Sequence, residues 1–108
     1  MRPSLFYTWE KLGQATHALV SGEGDIKTRL EAAAISLSPL SESLVPEQFR
    51  EEYNAIWAEL TNREALEGEG TIKATIRELT PHECSKLATR IFNFYVTVAQ
   101  TEEPQESI

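Results

Sequence analysis

Apolar residues recur at intervals of three and four in separate segments of the chain, which is the spacing of one buried helical face. The first segment follows Ser4, a residue type that caps helices, and stops at Gly22. The second follows Asp25, another capping residue, and stops before Pro39. The predicted inward positions are Leu5, Trp9, Leu12, Ala15, Thr16 and Leu19 in the first helix, and Ile26, Leu30, Ala33, Ala34 and Leu37 in the second.

The middle of the chain predicts two more helices. Between residues 38 and 45 lies a connection rich in serine and proline, after which Pro46 suits the first position of a third helix that Asn62 can close. A glycine- and glutamate-rich loop over residues 63–70 leads to a short fourth helix from Thr71. The predicted inward positions are Phe49, Tyr53, Ile56, Trp57 and Leu60 in the third helix, and Ile72, Thr75, Ile76 and Leu79 in the fourth.

The segment from Thr80 to Ala99 has the clearest helix start and the most apolar surface. Thr80, Pro81 and Glu83 match a capping box with proline at the first helical position. The apolar residues after them cover more than one face, so we expect this fifth helix to lie centrally. Apolar residues also alternate over residues 91–98, which leaves a strand as the alternative, although no second strand-like run is present to pair with it.

These patterns predict an all-α fold, a compact bundle of about five helices with the last helix central. The chain of 108 residues is long enough for one domain with one core. We therefore expect a single helical domain over residues 1–100. Residues 101–108 are polar and acidic with one proline, which is the composition of a flexible acidic tail.

Charge and cysteine usage narrow the classes of partner. Ten Lys and Arg residues stand against 17 Asp and Glu, for a formal net charge of -7, so no nucleic acid is expected as a ligand. No apolar run approaches the length of a membrane span, so no membrane is expected either. The single cysteine, Cys84, rules out a disulfide within the chain. A cytoplasmic protein is the natural expectation.

Few residues suggest chemistry. Cys84 falls on an apolar stripe, where a thiol is inert, and His17 sits late in the first helix. The glutamates early in the third helix lack a histidine at helical spacing, and the glycines lack the lysine of a phosphate-binding loop. We therefore predict no metal site and no cofactor.

Arg77 and His82 form the one short pattern with a catalytic counterpart. The spacing Arg-x4-His resembles the motif of the HEPN ribonucleases, which are small all-helical domains, and the match covers six residues. In that family the arginine and the histidine sit near a helix start at a dimer cleft and cleave RNA without metal. The resemblance would assign catalysis to Arg77 and His82, although Pro81 interrupts the segment between them.

The aromatic residues are numerous for one small helical core. Phe6 and Tyr7 lie off the main stripe of the first helix, and Phe94 lies off that of the fifth, so these three are predicted to bind a partner or a second copy. The leading hypothesis is a non-catalytic, bacterial-type protein-interaction module, such as an inhibitor or regulatory partner. The metal-independent ribonuclease using Arg77 and His82 is the alternative, and binding of a small apolar ligand within the bundle is a third reading.

Overall fold

Helix starts appear where the capping residues predicted them. The Ser4 hydroxyl, the Asp25 carboxylate and the Thr80 hydroxyl each accept a hydrogen bond from the backbone N–H three residues later, at 3.0, 2.9 and 3.1 Å. The Glu83 carboxylate in turn accepts from the N–H of Thr80 at 2.9 Å, which completes the capping box. These bonds satisfy amide groups that the first turn of a helix leaves without a partner.

A computed structural model describes residues 2–65 and 70–101 of the protein. Within these residues the structure is entirely helical apart from turns and connections, so the predicted all-α bundle is confirmed and residues 91–98 are helical. The predicted tail from residue 102 onward and part of the predicted loop, residues 66–69, lie outside the described residues. The helices are α1 (Leu5–Ser21), α2 (Ile26–Leu37), α3 (Glu47–Leu60), α4 (Thr71–Glu78) and α5 (Pro81–Ala99), with a 3-10 turn at Glu42–Leu44.

Helix α5 packs against α1, α2 and α3, and α2 also contacts α1 and α4. Apolar side chains from every helix meet in one core, which removes them from water and supplies most of the driving force for folding. Helix α5 lies among three other helices yet keeps one side exposed, where Phe92 and Asn93 face solvent. The fully buried larger side chains include Leu12, Leu30, Leu37, Leu40, Val45, Ile56, Leu60, Ile91 and Val98.

The connection between α2 and α3 is more ordered than its composition indicated. Leu40 and Val45 are buried on either side of the 3-10 turn. The N–H of Ser4 donates to the Leu44 carbonyl at 2.8 Å, and Arg50 Nε donates to the Val45 carbonyl at 2.8 Å. These bonds hold the connection against the starts of α1 and α3.

Candidate functional site

Three large aromatic side chains stand at the surface of α1 and α5. The exposed fraction is 64% for Phe6, 40% for Trp9 and 47% for Phe92. The rings of Phe6 and Trp9 contact each other, with centroids 5.7 Å apart and planes tilted by 44°. Covering aromatic rings of this size with a partner removes apolar surface from water and is favourable. Their exposure therefore marks this region as a candidate binding surface.

A shallow groove lies beside the Phe6–Trp9 pair, between the start of α1 and the end of α5. Its volume is about 270 Å³. The first turns of α1 meet the last turn of α5 here, and Gly13 of α1 contacts the earlier Tyr95 of α5, so the two helices run antiparallel. The groove is lined by Leu5, Phe6, Trp9, Val98, Ala99 and Thr101.

Further along the two helices, Gly13 of α1 lies against Tyr95 of α5, which fixes the register between them. Continuing the three-and-four spacing along each helix from Gly13 and Tyr95 defines one stripe on α1 and one on α5, and helix periodicity puts both stripes on the side of the shared seam. We call these stripes together the α1/α5 face. None of its positions is charged, although charged residues make up 25% of the chain. The face comprises Phe6, Trp9, Gly13, Thr16 and Val20 on α1, and Ser85, Ala88, Phe92, Tyr95 and Ala99 on α5.

The three predicted partner-binding residues differ in how exposed they are. Phe6 is exposed on the α1/α5 face, whereas Tyr7 is half-buried, packs against the core and holds the Lys11 ammonium 5.3 Å from its ring centroid. The prediction for Phe94 is wrong, because this side chain is only 4% exposed. It packs edge-on against Phe49 of α3 with ring centroids 6.0 Å apart. Partner binding by Phe6 and Tyr7 stays a prediction.

Phe94 was assigned to the surface because the predicted buried stripe of the fifth helix passed through Tyr95 instead. From Ile91, a step of three reaches Phe94 and a step of four reaches Tyr95, and both steps lie near one helical face. The structure buries Phe94, in line with Leu87, Ile91 and Val98. Phe92 sits about 100° from Ile91 around the helix and is therefore left at the surface.

The prediction that Trp9 lies on the inward face of α1 is also wrong, because its side chain is exposed. The inward face is instead formed by Thr8, Leu12, Ala15 and Leu19, spaced by four, three and four. Thr8 is tolerated in the core because its hydroxyl donates to the Ser4 carbonyl at 2.8 Å. The spacing of Leu12, Ala15 and Leu19, continued toward the N-terminus, predicts that Thr8 is buried. Threonine is polar, however, and was therefore not assigned to the core.

A second concavity, of about 380 Å³, lies where the end of α3 meets the start of α5. Several of its charged groups already have partners within the chain. Arg90 forms two hydrogen bonds with the Glu52 carboxylate, at 2.8 and 3.0 Å, and pairs with Glu59, and these contacts raise the pKa of its guanidinium. Hydrogen bonds from Thr80 lower the pKa of the Glu83 carboxyl. The lining comprises Glu59, Asn62, Arg63, Leu79, Glu83, Lys86, Leu87 and Arg90.

Arg77 and His82, the residues of the alternative ribonuclease hypothesis, lie on two different helices. Arg77 is in the last turn of α4, forms an ion pair with Glu78 at 3.6 Å, and its carbonyl accepts from Lys27 Nζ at 3.0 Å. His82 is in the first turn of α5 and is exposed. The turn at Leu79 and Thr80 separates the two helices. The catalytic assignment of Arg77 and His82 stays a prediction.

Of the remaining candidate residues, Cys84 lies in the core and His17 at the surface. Cys84 is fully buried, and this burial raises the pKa of its thiol, so its environment favours the unreactive protonated form. His17 is exposed in α1 and lies within hydrogen-bond distance of the Ser21 hydroxyl. In residues 2–65 and 70–101, no group of three or more His, Cys, Asp or Glu side chains is arranged to hold a metal ion.

Comparisons with known proteins assign no family to this fold. No protein-family model, curated protein or solved structure matches the chain. Among the described helices, none combines the length and the apolar character needed to cross a membrane.

Proposed function

We propose that this protein is a protein-interaction module that binds another protein surface through the α1/α5 face. The observation that carries the proposal is the exposure of Phe6, Trp9 and Phe92 on one uncharged face of an otherwise acidic chain. Contiguous exposed apolar surface rimmed by polar residues is typical of interaction sites in soluble proteins.

The residue types on this face suit a binding surface. Tryptophan is enriched among the residues that dominate binding energy, and aromatic residues are enriched at interface centres while Lys, Glu and Asp are depleted there. Phe6 and Trp9 already contact each other, so part of the ordering of these side chains precedes binding. The surface is therefore partly pre-organised for a partner.

The proposal assigns binding to the two helices that the core holds firmly. Trp9 is followed by Leu12 on the buried side of α1, and Phe92 follows the buried Ile91 on α5. A binding group on a rigid helix loses less conformational entropy on association than one on a loop. Such a small, rigid surface suits a protein that regulates or inhibits its partner.

Site-specific photo-crosslinking in cells that produce the protein tests the proposal. A benzophenone amino acid is placed at Phe6, at Phe92 or, as a control, at Ile35, which is 56% exposed on α2. We expect discrete protein adducts from Phe6 and Phe92 and none from Ile35. Adducts of equal yield at all three positions, or no adduct from the α1/α5 face, would contradict the proposal.

A further inference from the structure

We infer that the protein that binds the α1/α5 face is a second copy of the same chain, in an arrangement with two-fold symmetry. This inference rests on the proposed function and names the partner. In a symmetric pair the same face serves both copies, so the face must be compatible with itself in charge and in shape.

The absence of charge on the α1/α5 face permits a second copy to bind there. A protein with a net charge of -7 repels its own copies, and a basic partner would be attracted to its acidic surfaces. The α1/α5 face carries no acidic or basic side chain at any of its positions. Two copies can therefore meet here without placing like charges directly opposite one another, and a basic partner would gain no ion pair with these positions.

Shape supplies the self-complementarity. The groove beside Phe6 and Trp9 is a concave feature, and the half-exposed Phe92 ring is an apolar group on the same face that the core leaves partly uncovered. A cavity of about 150 Å³ accommodates a benzene ring. The groove is shallow and open, and its volume of about 270 Å³ leaves room for the phenyl ring of Phe92 to lie in it.

The separation of groove and ring suits a reciprocal contact. Phe92 lies seven positions before Ala99, which is about 10 Å along a helix at 1.5 Å per residue. A two-fold axis that runs across α1 and α5 at the level of Tyr95 inverts the helix direction in the second copy. Each Phe92 ring is then placed over the groove of the other copy, so the same contact forms twice.

The size of the face sets the expected strength. Helix α5 has 19 residues and is about 28 Å long at 1.5 Å per residue, and two helices side by side are about 20 Å wide. The footprint is then about 560 Å² on each copy, or about 1,100 Å² in total, which just exceeds the roughly 1,000 Å² expected of a biological interface. Interfaces at this low end of the size range are typically weak, so we expect a reversible dimer.

Sedimentation equilibrium of the purified protein over a range of concentrations measures this association. We expect monomers and dimers of the 12.2 kDa chain in exchange, and at least a tenfold higher Kd for Phe92→Glu. Ile35→Glu is the matched control, because Ile35 is also an exposed apolar residue but lies on α2. A wild-type chain that stays monomeric at millimolar concentration would overturn the inference, as would equal weakening by Ile35→Glu.

Cysteine cross-linking tests the arrangement itself, because oxidation also traps a dimer that associates more weakly once the Phe92 ring is removed. Disulfides need Cα atoms within about 7 Å. The reciprocal contact brings residue 92 of one copy near residue 99 of the other, while identical residues stay about 10 Å apart along the helix axis. The double variant Phe92→Cys/Ala99→Cys should form a covalent dimer under mild oxidation, and either single variant should not. Equal dimer formation by a single variant would refute this arrangement.

The experiments separate this inference from the proposed function. If the purified chain is monomeric but photo-crosslinking from Phe92 captures a different protein, the second-copy inference is wrong and the proposed function stands. If neither experiment detects association through the face, both are wrong. An adduct of twice the chain mass, obtained from Phe6 and Phe92 but not from Ile35, supports both.

Discussion

Gly13 of α1 lies directly against the Tyr95 ring of α5, and a Cβ atom placed on Gly13 would be 3.4 Å from Cε1 of that ring. The absence of a side chain at Gly13 lets the tyrosine lie close to the α1 backbone. The two helices that carry the α1/α5 face are therefore positioned by one small residue and one large one.

Gly13→Ala should stabilise the protein. Glycine in a helix interior costs about 1 kcal/mol relative to alanine, and the added methyl group needs only ordinary contact with the edge of a ring that can shift slightly. We expect the free energy of unfolding to rise by about 0.5–1 kcal/mol, measured by urea denaturation. Gly13→Leu should reduce stability, since its side chain would displace Tyr95. A loss of stability in Gly13→Ala would show that the ring cannot yield.

Tyr53→Phe should destabilise the core. The Tyr53 hydroxyl donates a hydrogen bond to the Leu40 carbonyl and lies 3.3 Å from the Leu37 carbonyl, at the end of α2. Loss of this buried donor should lower the free energy of unfolding by about 1–2 kcal/mol. Tyr95→Phe is a comparison variant, because Tyr95 is only half-buried. Equal effects of the two changes would contradict this role for Tyr53.

The same tyrosine should make stability depend on alkaline pH. Burial raises the pKa of Tyr53 from 10.0 to about 12. Because the folded pKa is above the unfolded value, its contribution is fully present below pH 10 and is lost as the pH rises toward 12. Urea midpoints measured from pH 8 upward should fall in this window for the wild type and fall less for Tyr53→Phe. Identical pH profiles would rule out this linkage.

The Arg90–Glu52 pair should couple α5 to α3 modestly. Its two hydrogen bonds are aligned, but both side chains remain partly exposed, so the coupling energy should be about 0.5–1 kcal/mol. A double-mutant cycle with Arg90→Ala and Glu52→Ala measures it. Arg90→Lys should lose most of the coupling, because lysine cannot form the paired contact. A coupling near zero would show that water screens the pair completely.

The capping box should control the acid sensitivity of α5. Thr80→Ala should cost about 1 kcal/mol, and Thr80→Ser should retain the cap. The pKa of Glu83 is lowered from 4.5, so the stabilisation by its charge is present above that pH and is lost as the pH falls through the folded pKa. In Glu83→Gln, the melting temperature should fall less toward acid pH than it does in the wild type. An equal fall in both proteins would show that other carboxyl groups dominate the acid sensitivity.

Local sequence rules accounted for the helices but not for the α1/α5 face. Ser4, Asp25 and Thr80 accept hydrogen bonds from amides three residues away, so their capping roles can be predicted without the fold. The exposure of Phe92 and the burial of Phe94 cannot be predicted in this way. Both are apolar residues of the same helix, and their burial depends on which neighbouring helix covers each direction around α5.

By itself, the sequence determined the five helices, their starts and the acidic, single-cysteine character of the chain, because helix periodicity and capping involve only nearby residues. Only the tertiary structure decided that Phe94 and Thr8 are buried while Trp9 and Phe92 are exposed. A helix fixes the angle of each side chain around its own axis, but burial depends on where other helices lie. That packing, between α1 and α5 at Gly13 and Tyr95, also created the uncharged face on which the proposed function rests.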